Sequence, residues 1–354
     1  MNADLHKEIR SAVVAILRAR SSERTPSTDF DHRLWKDLRQ GGFHLLGVPE
    51  EAGGSGGGLS DLALVIDLTA FHAARVPLAE TAFLAGWMLA RAALYLPEGL
   101  VVPSLDEARG ERRNGALRLS GNLRVPWGRH ADHVVTTVRC GGETLVVVLP
   151  AAQRGSMAMR LVTAANLAGE PRDTLILNGV DLADPVAVVA PTGIDSAALL
   201  QRGALTRSLQ LAASARSVLV SAGRYISERE QFGRPLARFQ AVQQQLAVLA
   251  AEVTALQVSA DAALLAVEAD DPGAGVAVAA AKATASAGAQ VVASIGHQLH
   301  GAIGYSAEHR LGQATTRLWA WREEFGNEGY WHDRLGAAVR QDGSWWPLVA
   351  GGAR

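Results

Sequence analysis

Two short stretches carry the side chains best suited to grip an anionic, planar ligand. In "REQFGRPLARFQAVQQQLA" (residues 229–247), Arg229, Gln231 and Phe232 stand almost side by side. An arginine fork bonds two oxygens of a pyrophosphate at once, and an aromatic face beside it suits a dinucleotide. The plainer reading is that Arg229 meets the dipole at a helix C-terminus while Phe232 simply packs. In "QLHGAIGYS" (residues 298–306), Gly301 and Gly304 let backbone approach a ligand closely, and Gln298 can bond a base or a phosphate. An ordinary glycine-rich turn between helices is the plainer reading there.

Other chemistries find little support. The ten histidines show no HExxH or paired ligand spacing, so no metal is expected. His130 and His133 in "GRHADH" lie in a hairpin-like region and are expected to face solvent or a partner. The single cysteine, Cys140, excludes an internal disulfide framework and a CxxC metal site, and beside Gly141 and Gly142 it does not look like a nucleophile. A formal net charge of -1 gives no basis for binding nucleic acid. The opening "MNADLHKEIRSAVVAIL" carries Asp4, Glu8 and Arg10 and lacks an apolar signal core. No run of ~18 uncharged apolar residues is present to span a bilayer. The tract "AGVAVAAAKATASAGAQVVASIG" includes Lys282 and reads as a buried helix. A cytoplasmic protein with no membrane partner is expected.

The elements that must position these residues follow from two changes of texture. At 354 residues and 48% hydrophobic, more than one structural layer is expected. Residues 1–94 read as helical, with apolar residues at three-and-four spacing in "LWKDLRQGGFHLLGV" and "LSDLALVIDLTAFHAA", separated by "PEEAGGSGGG". Residues 95–190 hold short β-branched runs such as "DHVVTTVRC" and "TLVVVLP", with "CGGE" as a hairpin turn. Residues 191–354 are helical again, in runs near 196–231, 236–270, 273–299 and 307–340. The breaks at "FGRP", "DDPGAG" and "HGAIGYS" contain the glycines and prolines that end helices. The fold class is therefore α+β: an N-terminal helical domain, a middle antiparallel β domain and a C-terminal four-helix bundle. Tryptophans gather late, in "LWAWREE", "GYWHD" and "SWWPL", and are expected in core or interface.

Taken together, the two stretches resemble the acyl-CoA dehydrogenase family. Its third domain carries an R-x-x-FG-x-P…FQ motif followed by Q-x-HGG-x-G-Y, in the order and at the separation seen here. "LWKDLRQGGFHLLGVPEEAGGSGGG" looks like the family's first-domain signature, so the resemblance covers nearly the whole chain. It implies a homologous α–β–α fold, FAD as cofactor, and removal of two hydrogens from the α and β carbons of an acyl-CoA thioester. It also implies that Arg229, Gln231, Phe232, Gln298, Gly301 and Gly304 hold the pyrophosphate and adenosine end of a neighbouring subunit's FAD, within an oligomer.

Three departures qualify what the resemblance implies. The family's T-E…G-S-D loop along the flavin ring is missing from "ALYLPEGLVVPSLDEARGERRNGALRL". The catalytic carboxylate is missing from both places where relatives carry it. One place falls on Phe325 in "WREEFGNEG", the other at about Gly203 in "QRGALTRSLQ". Glu324 and its neighbour Glu323 are out of register, and read as a solvated helix face. Ala302 replaces the second glycine of HGG. The retained half resembles the smaller subunit of heteromeric α2β2 acyl-CoA dehydrogenases, some of which, in actinobacteria, act on CoA esters of steroid side chains. A larger catalytic partner is therefore expected. A homomeric dehydrogenase using Glu324 or Glu323, a flavin-free acyl-thioester-binding scaffold, and a flavin monooxygenase remain open alternatives.

Overall fold

The computed structural model describes residues 3–21, 30–151, 155–183, 186–306 and 309–342. The chain divides into two compact units, one of Met1–Ser27, Ala63–Ala74 and Gly203–Arg354, the other of Thr28–Leu62 and Arg75–Arg202.

The second unit is built around a sheet. Its strands are β1 (Val101–Pro103), β2 (Ala108–Arg113), β3 (Ala116–Pro126), β4 (His133–Cys140), β5 (Glu143–Pro150), β6 (Met159–Val162), β7 (Arg172–Leu182) and β8 (Ala187–Val189). They lie in the order β6-β7-β3-β2-β4-β5-β8, with β1 also paired to β4. Most pairs are antiparallel, and the β4–β5 hairpin closes at Gly141 and Gly142, both at positive φ as a two-residue turn requires. Two pairs, β1 with β4 and β2 with β4, are parallel, so the sheet is mixed rather than purely antiparallel. The reason is a break at Ser104–Glu107, where the Ser104 hydroxyl donates to Asp106 O at 2.7 Å. β1 and β2 run on either side of this kink along one edge of β4, keeping one direction. The long β3–β7 pair runs from Leu117↔Leu182 to Pro126↔Arg172 with a bulge at Leu119/Ser120.

Helix α2 (His32–Gln40) belongs to the same unit. Asp31 caps it by accepting from Leu34 N at 2.9 Å, and Leu34, Trp35 and Leu38 form its buried face. A π-helical stretch (Ala79–Gly86) leads into α4 (Trp87–Arg91). In the glycine-rich loop, a side chain on Gly54 would overlap the Val48 carbonyl. His130 and His133 are half-buried rather than solvent-facing. His130 packs against Phe30 and Trp127, with centroids 5.1 and 6.2 Å away.

The first unit is helical: α1 (Ala3–Ser21), most of α3 (Leu59–Phe71), the greater part of α5 (Ser196–Glu228), α6 (Gln240–Glu268), α7 (Ala274–His300), α8 (Leu311–Glu323) and α9 (Glu328–Asp342). The last predicted run is thus two helices, divided at Phe325 and Gly326, both at positive φ. Small residues let α6 and α7 approach closely, as at Gly288, where an added side chain would meet Leu256. Among the described residues, α6 and the α7 segment to Tyr305 are long and apolar enough to cross a membrane by length and composition. In α7, 61% of the relevant window is buried inside the protein, as a bundle helix would be. Trp345 and Trp346 of the predicted aromatic tail lie outside the described residues.

Candidate functional site

A cleft of about 570 Å³ in the helical unit brings the two sequence stretches together. One wall is the end of α5 and the short hairpin after it, β9 (Glu230–Gln231) and β10 (Arg234–Pro235), followed by the first turns of α6. The other wall is the end of α7 and the turn Gly301–Tyr305. Arg229, Gln231, Gln298 and Gly301 all line it. The backbone of Arg229 closes the hairpin, accepting from Leu236 N at 2.9 Å, which fixes where the guanidinium starts. Gly301 sits at φ 61, ψ -146, a conformation open essentially to glycine alone. An added methyl there would touch nothing within 4 Å, so backbone freedom, not space, calls for glycine.

Two predicted residues lie outside the lining. Phe232 and Gly233 take the two positive-φ positions of the hairpin turn, leaving the Phe232 ring 90% exposed at its tip. Gly304 is buried, and a side chain there would come within 3.0 Å of His300 Cβ and Leu311 Cδ2.

Sequence reasoning missed several cleft residues, chiefly Tyr225, Gln245 and His300. Tyr225 stands one helical turn before Arg229, so the i, i+4 rule could have found it. His300 Nδ1 lies 2.7 Å from the Gly296 carbonyl and must carry its proton there, leaving Nε2 to accept from the Ser221 hydroxyl at 3.1 Å. The Tyr225 ring stacks on it at 4.9 Å. Burial holds His300 below the ordinary imidazole value. The Gly296 carbonyl opposes this in part, and His309, His297 and Arg224 reinforce it. One guanidinium and three glutamine amides make a donor set suited to phosphate oxygens and a purine edge, while His300, with both ring nitrogens engaged, shapes the wall behind them.

A second cluster joins α5, α7 and the turn between α8 and α9. The Phe325 ring packs on bare helix at Gly203, where a Cβ would lie 2.5 Å from Phe325 Cγ and closer to two other ring carbons. Glu324 Oε2 accepts from Arg207 Nε at 2.8 Å. Glu323 is exposed and pairs with Arg322 at 3.2 Å. Fully buried Lys282 donates to Ser286 Oγ, Arg322 O and Gly326 O at 2.7–2.8 Å. Burial, then the Arg207 charge, pushes Lys282 down to about 7, against the pull of Glu324, Glu323 and Glu328.

Models of the acyl-CoA dehydrogenase N-terminal and C-terminal domains match residues 3–93 and 194–335. The acyl-CoA dehydrogenase IpdE2 of Mycobacterium tuberculosis is 31% identical over 250 residues, covering 70% of this chain and 69% of IpdE2. The chain belongs to the acyl-CoA dehydrogenase family. Two further acyl-CoA dehydrogenases of that bacterium are 28% and 32% identical over 62% and 65% of their own length, so the match spans just under two thirds of them. Among solved structures, a chain of the ChsE4–ChsE5 complex from Mycobacterium tuberculosis superposes with a TM-score of 0.83 at 24% identity over 96% of both chains. The Tcur3481–Tcur3483 steroid acyl-CoA dehydrogenase gives 0.79 at 24%, over 96% of this chain and 98% of that one.

Acyl-CoA dehydrogenases are FAD-dependent flavoproteins. The donor set of the cleft fits the diphosphate and adenosine end of that cofactor, with Arg229, Gln231, Gln298 and the Gly301 backbone as the residues that would hold it. Within that family the second cluster of this chain stands out. Gly203 and Phe325, the two places where the resemblance led a carboxylate to be expected, meet in space, and neither side chain can ionise.

Proposed function

We propose that this chain is the smaller subunit of an FAD-dependent, heteromeric acyl-CoA dehydrogenase that desaturates an acyl-CoA thioester between its α and β carbons. The observation that carries this reading is the contrast between the two clusters. The cofactor cleft keeps Arg229, Gln231, Gln298 and Gly301 on its walls. In this reading the proton-abstraction position holds a phenylalanine on a glycine, and the carboxylate next to it in sequence, Glu324, is tied to Arg207.

In this reading Arg229 neutralises the diphosphate, and the glutamine amides orient the adenosine end. FAD, when bound, supplies the acceptor for the β hydride. The α proton goes to a carboxylate of a larger partner, because a base must stand within hydrogen-bond reach of the proton it takes. An α2β2 assembly satisfies both needs. The likeness in fold to ChsE4–ChsE5 and to a steroid acyl-CoA dehydrogenase favours two-component assembly and a steroid side-chain CoA ester as substrate.

The test is flavin absorbance near ~450 nm, read for the chain purified alone and after co-expression with a longer family member from the same genome, since a preorganised cofactor site co-purifies with its cofactor. Colour only in the pair, at one FAD per pair, is expected. A yellow chain that turns over acyl-CoA by itself refutes the two-component reading.

A further inference from the structure

The turn after α8 leaves the helical path at a residue whose own preferences do not ask for it. Phe325 adopts φ 56, in a left-handed region that non-glycine residues rarely enter. Three side chains hold it there. Lys282 donates to Arg322 O and Gly326 O on either side of it. Trp331 Nε1–H donates to Phe325 O at 2.9 Å. Arg207, only 2% exposed, grips Glu324. What this arrangement secures is the seat of the Phe325 ring on Gly203. A glycine inside a long helix is normally weaker than an alanine, and here it leaves the space that the ring needs.

Resting on the reading above, the geometry points to a locked plug. Phe325, seated on Gly203 and latched by Lys282 and by the Arg207–Glu324 pair, fills the place where a carboxylate from either position would stand. It thereby bars this chain from binding an acyl thioester there. Loss of a base alone would leave an empty chamber able to take the thioester. A plug removes the chamber, so that each pair of subunits offers a single place for substrate.

Two measurements on the full chain test this. The first is a thermal-unfolding cycle of Gly203→Ala, Phe325→Ala and the double variant. Gly203→Ala should lower Tm in the wild-type background and leave it unchanged or raise it where Phe325 is alanine; additive effects overturn the contact. The second is binding of butyl-CoA thioether, a non-reactive acyl-CoA mimic, with coenzyme A alone as control. Phe325→Ala should bind the thioether at least about ten-fold tighter than wild type, with coenzyme A unchanged. Equal affinities overturn the plug. Phe325→Val, which takes the ring off Gly203 but keeps a branched apolar side chain at the turn, serves in both measurements where Phe325→Ala does not fold, with the same direction of change expected in each. Neither readout uses flavin, so the plug fails by thioether affinity and the two-component reading fails by flavin content.

Discussion

Arg207 and Glu324 form an ion pair, Nε to Oε2 at 2.8 Å, that joins α5 to the end of α8 and leaves Arg207 only 2% exposed. A carboxylate so engaged is a structural anion. Glu324→Gln keeps one acceptor for the guanidinium but removes the charge, and should cost about 1–3 kcal/mol of stability by denaturant unfolding. Turnover of the two-component enzyme should survive within a few-fold. Loss of turnover with flavin still bound would identify Glu324 as the base and revive the homomeric alternative.

Arg229 is expected to carry most of the charge recognition in the cleft. Arg229→Ala should weaken FAD retention by the assembled enzyme roughly ten- to a hundred-fold, as the loss of charge-assisted hydrogen bonds implies. Arg229→Lys should restore only part of it, because an ammonium cannot fork across two oxygens. Flavin content after extensive dialysis reads both. Gln298→Ala should fall between them and the wild type.

His297, His300 and His309 are all held below the ordinary imidazole value of 6.5, with burial the first cause in each. The unfolded chain therefore takes up protons more readily than the folded one. Their contribution to stability is present above about 6.5 and is lost as pH falls through that value towards the folded ones. Urea midpoints between about pH 8 and pH 5 should decline on the acid side. His300→Gln should flatten part of that decline, and an unaltered slope would show that the cluster is not its source.

Lys282 should act at the other end of the scale. Its folded value is about 7 and its unfolded value 10.5, so the unfolded chain binds the extra proton between them. Stability should rise across that window and level off above it. Lys282→Met removes the titrating group and should abolish the rise, as urea unfolding at several pH values can measure. The same substitution leaves Arg322 O and Gly326 O without this donor, and should loosen the turn that carries Phe325.

Much of the architecture was legible from sequence, because it depends on local chemistry. Hydrophobic period separated helices from strands, and the Gly141–Gly142 turn was visible as a hairpin since two positive-φ positions call for glycine. The two stretches flanking the cleft were singled out through the family resemblance of their paired motifs rather than from residue type alone, and the structure brings both onto one cleft. Tertiary structure decided what depends on who stands opposite. "WREEF" has adequate helix propensity, and beyond the glycine at 326 the ending of the helix there rests on tertiary contacts, the Phe325 ring on Gly203, a hundred and twenty-two residues away in sequence, and the Lys282 and Trp331 hydrogen bonds. The fates of Phe232, at an exposed hairpin tip, and of His300, stacked on Tyr225 beside Ser221, were likewise set by packing partners. Sequence spacing measures distance along the chain. The contact between Gly203 and Phe325 exists only once α5 and the α8–α9 turn have folded together.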